Sequence, residues 1–321
     1  MSFKYINPGY GNLLEDAGGV TIATTERSKT GVGFYQIISG KGFSIDETPT
    51  DLYGKFDVYF YRDADDKSAD NFEVSVTLGL NGVSFKKITN QVYLSGLLNN
   101  NSQLYLSSST WYPDTLKSKM NLTMNAINTI HFHVHQRSGS SAKDGYIILW
   151  VNGKEVGRYE NFDVNFDYSN PKVVVVYGSN ATGLISNVII SDTEINKREQ
   201  VVILPIDATE TTMTAGSDGA YTANAAGQQV LQSVDTAPLI ADYGADSQIK
   251  GIAVIGNPAY RTAEGLSMLT ALEQVNGTVT EYGAKEAKPS ATAGVIDSRA
   301  VSMALADLAS YKFGWKAGVA Q

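Results

Sequence analysis

A chain of 321 residues is long for one ordinary sandwich and comfortable for two domains. Only 18% of it is charged and 43% apolar, the latter including 18 Tyr, while 30 Gly and abundant Ser, Thr and Asn make up much of the remainder, a composition that suits half-exposed strands better than helices. The net charge of −8, without clustered Lys or Arg, excludes nucleic acid and anionic membranes as expected partners, and the absence of Cys removes disulfides, thiolate nucleophiles and cysteine metal sites.

The opening residues break at Pro8, before any apolar run of signal-peptide length. No window reaches the roughly 18 apolar residues of a membrane span, so membrane insertion is not expected. The corresponding expectation is synthesis in a cytoplasm, with a virion or extracellular location reached by lysis or a leaderless route.

Short strands divided by turn residues then follow in order, at 20–24, 31–38, 52–61, 72–80 and 92–98. Gly82, Asn99 to Asn101 and Pro113-Asp114 supply the breaks. The clearest pair is 129–136 with 145–151, joined by a Ser/Gly-rich loop. Asn152-Gly153 turns the second of these into 154–159, because both central residues of a type I′ turn need positive φ. Four consecutive Val in 172–177 predict a strand buried on both faces, and 185–191 closes the series. No helical periodicity intervenes, which predicts a sandwich.

A boundary is predicted near 191–214, with 1–200 as the first domain, 201–214 as linker and 215–321 as the second. In the second part strands are predicted at 248–255, 266–275 and 278–282, the last two joined by Asn276-Gly277. Leu266, Leu269 and Leu272 also fit a helix, so 266–275 stays open between strand and helix. One helical turn is predicted at 238–243, with Thr236 as cap, Pro238 in the first turn and Gly244 as terminator. The alternation of aromatic and polar residues in 311–316 predicts an edge or closing strand.

The run from Thr129 to Tyr159, with His131-Phe132-His133-Val134 entering and Gly145 to Lys154 following, resembles the signature hairpin of laminin G-like, concanavalin A-like jelly rolls. The run Ile185 to Asp192 is similar to that family's final strand beside the first, and Tyr53 to Phe60 to an early strand of the same sheet. This resemblance covers about residues 1–200 and implies an all-β, two-sheet jelly roll, usually used to bind glycans or proteins. Some relatives hydrolyse glycans with a Glu-x-Asp-x-x-Glu strand, and that spacing is absent here. The ending Asp307 to Ala317 resembles, more loosely, the last strand of small β-sandwiches in phage tail and head proteins. A second, smaller β-sandwich is therefore expected.

His131, His133 and His135 are all the histidines of the chain and alternate along one predicted strand, which puts them on one face about 6.7 Å apart. His131 and His133 are candidate metal ligands, although three in a line cannot surround one ion and no carboxylate lies in their strand. Asp63, Asp65 and Asp66 form an acidic loop suited to Ca²⁺, with Lys67 opposing the ion. The resemblance adds that laminin G-like relatives often hold calcium in loops at the sandwich rim. Tyr105, Trp111, Tyr112 and Tyr168 lie in or beside Ser/Asn-rich stretches and are candidate ligand contacts, since a flat ring stacks on a sugar face or on a partner protein.

The resulting expectation is a structural or adhesion component of a phage or prophage particle, and not an enzyme. Its lectin-like jelly roll would contact a surface glycan or neighbouring subunits, and its second module would pack or form homo-oligomers. The alternatives are a free carbohydrate-binding lectin and a polysaccharide-acting enzyme.

Overall fold

The computed structural model describes residues 3–7, 20–22, 34–36, 41–45, 49–60, 72–78, 81–88, 91–97, 103–110, 119–123, 126–138, 142–162, 173–178, 183–196, 199–256, 259–261, 265–289 and 294–320. It divides into two compact units, Met1–Val202 and Ile203–Gln321. Among the described residues no helix is long and apolar enough to cross a membrane.

The first unit is built from β1 (Phe3–Asn7), β2 (Val20–Ile22), β3 (Phe34–Gln36), β4 (Lys41–Ile45), β5 (Asp51–Phe60), β6 (Phe72–Leu78) and β7 (Asn81–Ile88). These are followed by β8 (Gln91–Leu97), β9 (Gln103–Thr110), β10 (Ile127–His135), β11 (Gly145–Val151), β12 (Lys154–Phe162), β13 (Val173–Gly178) and β14 (Gly183–Ser191). One sheet runs β12-β11-β10-β5-β14-β3-β2, with β1 also paired to β14; the other runs β4-β13-β6-β7-β8-β9. Where described, the pairings are antiparallel. The expected jelly-roll sandwich is what forms. The last strand of the unit returns beside the first, Ile6 opposite Ile189, as the resemblance implied. Strands β1, β4, β7 and β9 were not predicted from the sequence.

Period two decides what is buried. Leu52, Phe56 and Val58 of β5, Ile130, Phe132 and Val134 of β10, and Ile147, Leu149 and Val151 of β11 all face inward. Val76, Val83, Phe85, Val92 and Leu94 of the second sheet complete this core. Gly54 stands opposite Phe132 in the β5–β10 register, and the phenyl ring lies across it: a Cβ there would sit 1.9 Å from Phe132 Cζ. The Asn152-Gly153 turn has φ of 50° and 76°, as its sequence demands. Asn152 is fixed further, since its Oδ1 accepts from Thr129 N at 2.9 Å and its Nδ2 donates to Asn121 O at 2.8 Å. The run of Val in β13 sits between β4 and β6, next to the edge of its sheet; whether it is buried on both faces, as predicted, lies outside the described residues.

In the second unit β15 (Ile206–Thr211), β18 (Gln229–Val234), β20 (Met268–Val275), β21 (Thr278–Glu286) and β23 (Tyr311–Gly318) form a sheet ordered β15-β18-β23-β20-β21. Two-stranded sheets pair β16 (Thr214–Ala215) with β17 (Tyr221–Thr222), and β19 (Gln248–Gly256) with β22 (Val295–Ala304). Within the stretch read as linker, Ile206–Thr211 is thus a strand. The open assignment at 266–275 resolves to strand: Ala271 and Leu272 are fully buried, and the hairpin to β21 turns at Asn276-Gly277 with φ of 50° and 82°.

Two expectations need correction here. The strand expected as an edge or closing strand, β23, is the last of its sheet in the chain but not at an edge: it is the central strand, because Phe313, Trp315 and Ala317 face the core while Gly314 lets Val230 O approach. A Cβ at Gly314 would lie 1.8 Å from that carbonyl oxygen, so the neighbouring strand needs the glycine. The helical turn does form, as α1 (Ala237–Tyr243) ending at Gly244 with φ 87°, but Thr236 makes no side-chain cap. Asp235 Oδ1 accepts from Ala237 N at 3.0 Å in its place. The core beneath joins Leu239, Ile252, Val254, Val295, Leu305, Leu308, Phe313 and Trp315.

Candidate functional site

The face of β5-β10-β11 that points away from the inter-sheet core carries a row of rings and charges. The registers set it out: His131 lies between Lys55 and Trp150, His133 opposite Tyr53, and His135 between Asp51 and Tyr146. The predicted placing of all three histidines on one face is what the strand gives. It is not, however, a uniformly solvated face. His133 is only 8% exposed and Lys55 equally so, because the chain beyond β14 packs here: Ile195 is fully buried and Glu199 O accepts from Lys55 Nζ.

Three side chains converge. Asp51 Oδ1 is 2.7 Å from His133 Nε2 and 2.7 Å from His135 Nδ1. The rings are held by stacking: Tyr53 on His133 at 3.9 Å and 19°, Tyr146 on His135 at 4.8 Å and 13°. Tyr146 also meets His133 edge-on, 4.9 Å away at 90°. The cluster opens outward through the Asp51 side chain, 32% exposed, and the His135 side chain, 23% exposed.

Electrostatics follow burial. Desolvation pushes the Tyr53 phenol up to about 12, with the negative charges of Asp51 and Glu194 adding to the effect, so it stays a neutral hydrogen-bond donor. Tyr146 is raised for the same first reason, then by Asp51. Burial lowers His133, against the hydrogen bond and charge of Asp51, which favour its protonated form. His131 falls to about 4 through burial and then through Lys55 and His133. It stacks on Trp150 at 4.8 Å, and its buried Nε2 has no hydrogen-bond partner among the described residues.

A second polar centre lies farther along the same face. Asp57, 2% exposed, accepts from Thr129 Oγ1 at 2.6 Å and from Asn187 Nδ2 at 2.7 Å. Asn187 reaches it from a bulge in β14, at φ 52°. The adjoining cavity, about 20 Å³ and lined by Lys55, Asp57, Asn187, Ile189, Gln200 and Val201, has room for a water molecule and no more.

Of the candidates drawn from sequence, His133 belongs to the cluster, whereas His131 stands apart from it against Trp150. Asp63, Asp65, Asp66, Trp111, Tyr112 and Tyr168 lie outside the described residues, as does the Tyr105 side chain, whose backbone is in β9. Sequence reasoning missed Asp51, Tyr53 and Tyr146 and left His135 out of the ligand set. Their signal was faint: Asp51 and Tyr53 alternate on one face of a strand, but only the register with β10 brings them beside the histidines.

No family model matches the chain, and no curated protein does either. Among solved structures it is similar to the endo-β-1,4-glucuronan lyase of the fungus Trichoderma reesei, at 12% identity and TM-score 0.37 over 60% of this chain and 96% of that one. It is also similar to sheep galectin-11, at 12% identity and TM-score 0.30 over 48% and 98%. A third is the receptor binding domain of botulinum neurotoxin type G, at 12% identity and TM-score 0.38 over 91% and 79%. Alginate lyases stand beside the glucuronan lyase. The expectation that the chain is not an enzyme is therefore not upheld, since several of the similar structures are polysaccharide lyases. Structures similar to this chain thus range over polysaccharide lyases, a galectin and a toxin's receptor-binding domain.

Proposed function

We propose that the first unit binds a carbohydrate chain at the outward end of β5, β10 and β11. The observation that supports this most is the packing of Tyr53, His133, His135 and Tyr146 around the partly exposed Asp51 carboxylate. Flat rings suit the C–H face of a sugar, and a carboxylate with a neutral phenol beside it accepts from and donates to its hydroxyls. The rings stand on paired strands and are fixed by one another, so little ordering entropy is lost on binding.

The wider setting is a laminin G-like unit in an adhesive component of a phage or prophage particle, with the second sandwich packing or oligomerising. Paired sandwiches, Asn/Ser/Tyr-rich loops and the absence of Cys support it. Tyr105, Trp111, Tyr112 and Tyr168 are proposed as further ligand contacts.

Calorimetric titration with an oligosaccharide panel that includes uronate polymers tests the site, and the same mixtures are assayed for cleavage. Binding by the wild type, weakened about tenfold or more in Tyr146→Ala, is expected, a loss of ~1.4 kcal/mol or above. No binding across the panel, or a loss confined to Trp111→Ala with Tyr146→Ala unchanged, would overturn the assignment.

A further inference from the structure

We propose that Asp51, His133 and His135 together bind one first-row divalent transition cation, Zn²⁺ being the closest fit to their chemistry. The inference does not rest on sugar binding, and its test uses no sugar. The ligand set differs from a His131–His133 pair, since the carboxylate arrives from the neighbouring strand.

The donor atoms, Asp51 Oδ1, His133 Nε2 and His135 Nδ1, lie within 4.8 Å of one another. Donors 2.0–2.2 Å from a tetrahedral ion stand roughly 3.4 Å apart. Closing on an ion therefore means relaxing the two 2.7 Å contacts and drawing in the wider pair, shifts on the order of 1 Å. The Asp51 side chain, 32% exposed, has the freedom to make them. In each neutral imidazole the proton would move to the other ring nitrogen, which leaves a lone pair facing the ion and changes no net charge on the ring.

Three features separate this cluster from an ordinary ion pair. Both nitrogens address a single carboxylate oxygen, which is how a shared cation would be approached. The rings are already oriented by stacking on Tyr53 and Tyr146, the role that outer partners play around metal ligands. Finally, the partial exposure of Asp51 and His135 leaves one side open to solvent for a water or substrate oxygen. Two imidazoles with one carboxylate suit zinc and its neighbours, while Ca²⁺ wants six to eight oxygens.

The test is calorimetric titration of untagged, chelator-stripped full-length protein with Zn²⁺ and, separately, Ca²⁺. One equivalent of Zn²⁺ is expected to bind saturably. Asp51→Asn and His135→Ala should each weaken it by more than about 100-fold, beyond the cost of losing a mere outer partner. His131→Ala should bind like the wild type. Circular dichroism checks that each variant folds, and imidazole ¹⁵N shifts of the wild type provide a measurement free of substitutions. Those of His133 and His135 should move with Zn²⁺ while that of His131 stays in place. Absence of saturable Zn²⁺ binding, preference for Ca²⁺, or shifts centred on His131 would overturn the proposal.

Discussion

Replacing Gly54 by Ala perturbs the core directly beneath the candidate site. The added methyl would meet Phe132 Cζ at 1.9 Å and Cε1 at 2.1 Å, whereas carbon atoms rest about 3.5–4.0 Å apart. Phe132 is fully buried and its strand is hydrogen-bonded on both sides, so the ring has to yield by roughly 1.5 Å into a close-packed interior. Overpacking of this kind costs about 1–3 kcal/mol, and a steric overlap this deep belongs at the upper end. For a unit of this size, ~3 kcal/mol lowers Tm by about 6–12 °C. Scanning calorimetry of the full chain reads it, with the first unit's transition moving and the second unit's staying in place. Leu at position 132 in the Gly54→Ala background should recover part of the loss, although Phe132→Leu alone destabilises. That coupling is the signature of a ring seated on a glycine. A Gly54→Ala protein with an unmoved first transition, or with strictly additive effects at 54 and 132, would refute the packing argument.

Acidification should also destabilise the first unit. Unfolded His131 takes a proton near 6.5 but folded His131 only near 4, so its neutral ring favours folding above pH 6.5 and that contribution is lost as pH falls toward 4. Between pH 7 and 5 the loss is about 2 kcal/mol, and His131→Phe should show a correspondingly smaller decline in urea titrations with chelator present; parallel declines would contradict the assignment. In the second unit Arg299 donates to Asp297 at 2.9 Å and to Glu273 at 3.2 Å with its guanidinium 3.7 Å over the Tyr282 ring. Arg299→Met leaves two mostly buried carboxylates without their cation, so the second calorimetric transition should lose about 3–5 kcal/mol while the first is unchanged.

Local chemistry was legible wherever a residue type has one use. Asn152-Gly153 and Asn276-Gly277 turn hairpins because both of their residues must take positive φ, and alternation in β5, β10 and β11 put their apolar sides inward. Position within a sheet was harder to read. The alternation of Tyr311 to Gly318 is the same at an edge or at a centre, and only the approach of Val230 O over Gly314 marks the strand as central. Strand β7, with Gly82, Ser84, Lys86 and Lys87, lacks the apolar density that marks a strand in isolation and gains it from Val76 and Leu94 on either side. Part of the candidate site, His133 and His135, was visible among the three alternating histidines. The rest, Asp51, Tyr53 and Tyr146, depends on pairing between segments about 80 residues apart in one case and on a hairpin register in the other, neither of which any single residue announces.

The central claim, that the outward cluster on β5, β10 and β11 is where this protein meets its ligand, is tested most directly by a crystal structure of the full chain soaked with the tightest-binding oligosaccharide. The account predicts a sugar ring lying flat on Tyr146 or Tyr53, with a hydroxyl bonded to Asp51. Sugar density seated elsewhere, with Asp51, Tyr53 and Tyr146 untouched, would contradict it.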